Sequence, residues 1–346
     1  MNIKDLIVRA ARKEPVERIP VWLMRQAGRY MKEYMEVKKS YDFMTMCRIP
    51  EVASDISMQP MNVIKPDAGI IFSDILVPVE AMGIKVTFEK DHGPKLHNPI
   101  KNMEDVENLK IPDSEKDMPF VSESIKLFIQ KLDDQKPVLG FCGAPWTLAS
   151  YMIEGGGSRN YTKAKTMMYK EPKTFELLME KTLETVVNHF LAQIKAGASM
   201  VQMFDTWAGC LSYDDYVKYA FPYQKEVISR VKKVSDVPIA LYINGCGNIL
   251  EKMVETGADV LSIDWMIDLA EAKKRVGNKV ALQGNIDPCC LYGSPEFVER
   301  KVKETIDKFG KETGYIFNLG HGILPDIPVE NVKILVKTVQ EYGLVC

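Results

Sequence analysis

Eight short apolar runs, with helical stretches between them, constrain this chain more than any other feature. The runs occupy residues 20–24, 67–72, 137–142, 199–204, 238–243, 260–263, 280–283 and 315–319. Runs that short and that apolar read as buried strands. Stretches of helical composition follow at 172–196, 213–234, 249–256, 269–276 and 295–309. Strand–helix alternation repeated eight times predicts an α/β fold closed into a (β/α)8 barrel, the TIM-barrel arrangement. The alternative is an open doubly wound sheet. That fold usually shows about six strands and a phosphate-binding glycine loop after the first.

The remaining segments fit around the barrel. Residues 3–14 carry a helical apolar pattern (Ile3, Leu6, Ile7, Ala10) and read as an arm before the first strand. Residues 30–65 are helical in composition, broken at Pro50. Ile84–Phe88 and Pro94–His97 alternate around Asp91-His92-Gly93 and predict a β-hairpin inserted after the second strand. Residues 101–135 are charged and helical. No linker, low-complexity tract or further repeat divides the chain, so residues 1–346 are expected to form a single domain.

Composition excludes several classes of function. The N-terminal twenty residues are charged throughout, unlike a signal peptide, and no window is apolar enough to span a bilayer. A net charge of −2 leaves no nucleic-acid footprint, so an anionic ligand needs locally concentrated Arg and His. The seven cysteines contain no C-x-x-C and no framework spacing, which points to free thiols in a reducing cytoplasm. The 19 methionines read as soft core filler.

In a barrel, the strand C-termini converge on one mouth, and active sites are built there. Those ends carry Arg25 and Arg29, Asp74, the 143–157 segment with Tyr151, and Thr206. The later ends carry Asn244, Asp264, Asn285 with Asp287, and His321. Arg25 and Arg29 share a face if their segment is helical, and guanidinium groups suit carboxylates or phosphates. A solvated pair tied to Glu33 or Glu36 is the plain alternative. Asp74 is also compatible with a helix N-cap. Gly155-Gly156-Gly157-Ser158 lacks the P-loop pattern and reads as a mobile lid. Gly245-Cys-Gly247 lacks the third glycine of a dinucleotide fingerprint. His92, His97 and His189 read as structural or solvated, whereas His321 lies between glycines that permit close approach.

The run PVWLMRQAGRY (20–30) resembles the signature of the uroporphyrinogen decarboxylase family. FSDIL (72–76), GFCGAPWTLASYMIEGGG (140–157), FDTWAG (204–209), QGNIDP (283–288) and NLGHGILP (318–325) resemble its other blocks, in order, over nearly the whole chain. The resemblance implies a cofactor-independent carboxy-lyase that converts the four acetate side chains of uroporphyrinogen to methyls, giving coproporphyrinogen. It implies that Arg25, Gln26, Ala27, Gly28 and Arg29 bind substrate carboxylates. Asp74 would contact the pyrrole NH groups and stabilise cationic intermediates, and Phe43, Tyr151, Thr206 and His321 would line the pocket. It also suggests a homodimer with facing clefts, with no membrane or nucleic-acid partner and no metal. Lys38 stands where many members carry arginine, and Met31-Lys32 replaces a common Leu-Pro, which bears on secondary carboxylate contacts.

Two rivals remain at this level. A related corrinoid methyltransferase would use zinc held by a His-x-Cys and a distant Cys, but Asn244-Gly-Cys246 lacks the histidine. A tetrapyrrole carrier would keep the arginines but has no reason to keep a carboxylate at the ring nitrogens.

Overall fold

The computed structural model describes residues 5–89 and 93–345. Its nine strands are β1 (Gly69–Ile70), β2 (Val86–Glu89), β3 (Gly93–Leu96), β4 (Val138–Gly143), β5 (Met200–Phe204), β6 (Ile239–Ile243), β7 (Val260–Ile263), β8 (Ala281–Ile286) and β9 (Tyr315–Leu319). Seven of them form one parallel, curled sheet in the order β1-β4-β5-β6-β7-β8-β9. Helices cover its outer face, which is why these strands are apolar on both sides.

The first apolar run closes the circle by a different means from a ladder. Val21 makes one parallel bridge to Phe317 of β9. Phe317 N donates to Pro20 O at 2.8 Å, and on the other side Asp67 N donates to Val21 O at 2.8 Å. Pro20 has no N–H, and the Val21 N–H goes to Asp67 Oδ2 at 2.8 Å, so a regular ladder cannot extend here. Asp67 also takes the Arg18 guanidinium in a two-point pair at 2.7 and 2.6 Å. Both partners are buried, with side chains 8% and 2% exposed.

Alternation along the strands fills the barrel in layers. Trp22, Leu139, Met200, Ala240, Val260, Ala281 and Ile316 form the lowest layer, against Leu6, Ile7 and Ala10 of the N-terminal helix (Leu6–Ala11). The arm is therefore a plug, although Ile3 lies outside the described residues. Above it is a polar layer. Gln283 Oε1 accepts from Trp22 Nε1 at 2.8 Å, and its Nε2 donates to Gln202 Oε1 and Ser262 Oγ at 2.9 and 2.8 Å. The upper layer is apolar again: Met24, Phe204 and Tyr242, with Ile75 and Phe141.

The hairpin is present as β2 and β3, with Val86 opposite Leu96 and Phe88 opposite Pro94. Asp91 and His92 of its expected turn lie outside the described residues, and Gly93 opens β3. Three elements differ from expectation. Residues 30–65 hold Lys32–Ser40, Phe43–Arg48 and Pro50–Val63, with an additional break where Asp42 Oδ1 caps Thr45 N at 2.9 Å. Residues 145–154 form a helix stopped by Gly155 at φ 83°, and the helix precedes the glycine loop. The 213–234 helix widens over Tyr216–Ala220, where Pro222 has no N–H to return to Lys218. No helix among the described residues is long and apolar enough to cross a membrane.

Because Asp67 holds one edge of the closing segment and also takes Arg18, Asp67→Ala is expected to cost about 3–5 kcal/mol in equilibrium urea unfolding, leaving Arg18 buried without its partner. A loss below about 1 kcal/mol would place the closure elsewhere.

Candidate active site

The segment after the closing strand is a run of turns, and the next helix starts only at Lys32. Arg25 adopts φ 61°, the left-handed region, at a cost of about 1 kcal/mol or more for a residue with a Cβ. Gln26 N bonds to Leu23 O at 3.0 Å, and Gly28 O accepts from Met31 N at 3.0 Å. Arg25 and Arg29 are thus placed by turn geometry and do not share a helical face. Both are exposed, and neither forms an ion pair with a described residue; Glu36 pairs with Lys39 instead. Two unpaired guanidinium groups at a strand end suit an anionic ligand.

Gln26 behaves differently from its neighbours. It is fully buried, its Oε1 accepts from Leu23 N at 3.3 Å and its Nε2 donates to Ala68 O at 3.2 Å. Its carbonyl accepts from the Tyr30 hydroxyl at 2.6 Å. The side chain expected to meet substrate is engaged in clamping the turn. Ala27 and Gly28 are half-buried beside it.

Arg25 lies across Gly322. A Cβ there would stand 2.3 Å from Arg25 Cδ, so the glycine makes room for the arginine as well as for a ligand. The neighbouring His321 is half-buried, and its Nδ1 accepts from Gly322 N at 2.7 Å. A neutral ring then carries its proton on Nε2. Burial, with Arg25 beside it, pulls the imidazole down to about 4 against the opposing charge of Asp264, so the ring is neutral near pH 7.

Asp74 ends the second strand region, half-buried. Its Oδ1 accepts from Leu76 N at 2.8 Å, so part of the capping expectation is realised as a local turn. No described residue donates to Oδ2. Burial raises the carboxyl to about 6, while the Leu76 N–H and the Arg25 charge hold it down. Burial likewise raises the Tyr151 hydroxyl, with Asp74 adding to the rise and Trp207 and Arg25 opposing it. Arg25 therefore lies within electrostatic reach of Asp74, Tyr151 and His321, and Asp74 within reach of Tyr151. The charge of Arg29 bears on Tyr34.

Phe43 packs on Phe72, two residues before Asp74, at 5.6 Å, and on Phe88 of the hairpin at 4.5 Å. The hairpin in turn bonds the glycine loop through Leu96 N to Gly155 O at 2.9 Å. Thr206 is half-buried at the end of β5. By contrast, Asp264 and Asn285 hold loops. Asp264 accepts from Gly245, Cys246 and Met266 N–H groups, and Asn285 Nδ2 donates to the Asp264 and Ile267 carbonyls. Asp287 caps Cys289 N at 2.9 Å. His97 bonds Thr87 at the surface, and His189 is buried in the Pro172–Lys195 helix. Trp207 against Tyr151, and Phe141, Phe204 and Tyr242 in the upper layer, were not singled out from sequence. Their period-two phase in strands of known direction is the signal that would have found the last three.

Comparison with known proteins decides the family. A sequence model described as uroporphyrinogen decarboxylase (URO-D) matches residues 2–342. The chain is 44% identical over 341 residues to the uroporphyrinogen decarboxylase of Chlorobium limicola, covering 97% of each chain. It is also 44% identical to that of Carboxydothermus hydrogenoformans, covering 99% of this chain and 97% of that one. The chain belongs to the uroporphyrinogen decarboxylase family.

Among solved structures, a methyltransferase from Methanosarcina mazei superposes with a TM-score of 0.85 over 99% of each chain at 23% identity. A B12-independent methionine synthase from Shewanella gives 0.56 over 90% of each chain at 12% identity. At these identities the likeness is one of fold. Of the two departures from the family pattern, Met31 is buried with Tyr34, Met46 and Ile56, and Lys38 is exposed on the Lys32–Ser40 helix.

A charge-assisted hydrogen bond contributes about 1.5–3 kcal/mol. Arg25→Ala and Arg29→Ala are each expected to weaken uroporphyrinogen binding roughly ten- to a hundredfold in a titration. Their melts should stay near parental, because neither arginine is paired in the fold. Binding at parental strength in both variants would make them surface residues.

Proposed function

We propose that the mouth of the barrel is the decarboxylation site, with the Asp74 carboxylate as the catalytic anion and Arg25 and Arg29 as the carboxylate-holding groups. Decarboxylation of uroporphyrinogen replaces each acetate carboxyl by hydrogen, releasing carbon dioxide and consuming one proton per acetate. The pyrrole is its own electron sink. Protonation of a ring carbon makes a cation, the C–CO2 bond breaks, and its electron pair flows into the ring. The exocyclic carbon then takes a proton to become the methyl, and the ring carbon returns its own.

The observation that carries the assignment is the Asp74 Oδ2, an oxygen with no protein donor among the described residues, set within reach of Arg25. A fixed anion there stabilises the ring cation as it forms and accepts from the pyrrole N–H groups. Tyr151 and the Nε2–H of His321 are donors for substrate carboxylates, and Phe43 and Thr206 flank the ring. Ala27 and Gly28 bring backbone close to the ligand, and Gln26 holds them in place. Either arginine also serves as a proton donor or orients a water.

We read residues 1–346 as one domain working in the cytoplasm as a homodimer with facing clefts. Trp265 and Met266, 38% and 60% exposed next to His321, support a second copy at this mouth. The zinc-methyltransferase reading lacks its ligands. Cys246 is fully buried, and among the described residues no group of three His, Cys, Asp or Glu side chains is arranged to hold a metal. Turnover of reduced uroporphyrinogen, followed by chromatography, is expected to survive exhaustive chelation. Loss that added zinc restores would favour the methyltransferase.

Asp74→Asn keeps the turn acceptor and removes only the charge. It is expected to lower kcat by about 10²–10³ with a small change in binding and melting. The pH dependence follows from the raised carboxyl. A group at about 6 is protonated below that pH and ionised above it, so kcat/KM should rise through about pH 6. Asp74→Asn should flatten that limb, and an unchanged limb would assign it to another group.

A further inference from the structure

Asp205 is a buried carboxylate at the end of β5 that the proposed chemistry does not use. Its partners come from two neighbouring helices. Thr147 donates twice to Oδ1, from its backbone N at 3.1 Å and from its hydroxyl at 2.7 Å. Gln224 Nε2 donates to Oδ2 at 2.6 Å, and Gln224 Oε1 accepts from the Tyr216 hydroxyl at 2.8 Å. Thr147 Oγ1 also accepts from Trp207 N at 3.2 Å. Burial raises the carboxyl to about 6, and its donors, all aimed at it, pull it the other way. Three donors and no acceptor opposite them call for the ionised form.

The position of these bonds matters. Thr147 lies in the first turn of the Pro145–Glu154 helix, where the leading N–H groups have no partner inside the helix. The N-cap residue is Ala144, which has no side-chain oxygen. Asp205 supplies the missing cap from a neighbouring strand and places a negative charge at the positive helix end. Tyr151 follows Thr147 by one turn on the same helix face. Thr206 and Trp207 follow Asp205 directly, and the Trp207 ring meets Tyr151 edge-on with centroids 6.3 Å apart.

We propose that Asp205 is a positioning residue. By locking the start of the Tyr151 helix to the strand end that carries Thr206 and Trp207, it fixes the Tyr151 hydroxyl relative to Asp74. It touches no substrate. This inference rests on Tyr151 working in the cleft, and the test separates the two ideas.

The experiment is a double-mutant cycle read in kcat/KM on full-length protein, with melts on the same preparations. Asp205→Asn turns an amide donor toward Gln224 and is expected to lower kcat/KM roughly ten- to a hundredfold, the scale of misplaced reacting groups. In a Tyr151→Phe background the same change should cost less than about threefold, because the hydroxyl it positions is already gone. Adding Gln224→Glu to Asp205→Asn restores an acceptor for the new amide and for Tyr216, and should recover most of the activity. Equal losses in both backgrounds, or no recovery in a double variant that melts like the parent, would overturn the role of Asp205. A Tyr151→Phe enzyme with parental kcat/KM would instead overturn the reading of Tyr151, and the inference with it.

Discussion

Closure of the barrel depends on one buried carboxylate. Asp67 receives Arg18 and the Val21 N–H through its side chain and donates its own N–H to the Val21 carbonyl. A two-point ion pair with a further hydrogen bond is the geometry that makes a buried pair tolerable. The next residue, Ala68, accepts from Gln26, which clamps the turn that bears Arg25. The contact that shuts the barrel and the contact that aims the arginine are therefore adjacent in sequence, just ahead of β1. An error in closure register would be transmitted to the site within a residue.

The mouth resolves an electrostatic difficulty that the net charge of −2 poses for an anionic substrate. Arg25 and Arg29 are left without protein carboxylates, so their charge is available at the cleft. Arg25 also keeps the half-buried Asp74 from rising further. A histidine driven neutral by burial and Arg25 adds a donor without adding charge. In the proposed site, positive charge holds the substrate carboxylates and one anion serves the ring cation. The barrel does not dictate this arrangement, since a methyltransferase shares the fold at a TM-score of 0.85.

Much of this was legible in the chain. Eight apolar runs separated by helical stretches determine a parallel barrel, because parallel strands need crossovers and are buried on both faces. Knowing the mouth then collects Arg25, Asp74, Tyr151 and His321 from their places after strands. Sequence could not tell which strand-end polar groups face a ligand. Asp264, Asn285 and Asp287 look as eligible as Asp74, yet their side chains serve loop N–H and carbonyl groups. That partition is set by backbone direction at each loop, which local spacing does not encode.

Tertiary structure alone decided three things. The first run bonds by a bridge and a side chain because Pro20 lacks a donor and Asp67, 46 positions after Val21, supplies an acceptor to it. Arg25 takes a left-handed turn and not a helix because Gln26 is held to Ala68 and Gly322 leaves space for the side chain. Asp205 caps a helix that its own N-terminal residue cannot, since Thr147 is 58 positions away in sequence but in contact in the barrel. The sequence determined the periodic pattern and the residue types, because burial and hydrogen-bonding capacity are local properties. The structure decided partners, because a partner is a matter of where distant segments meet.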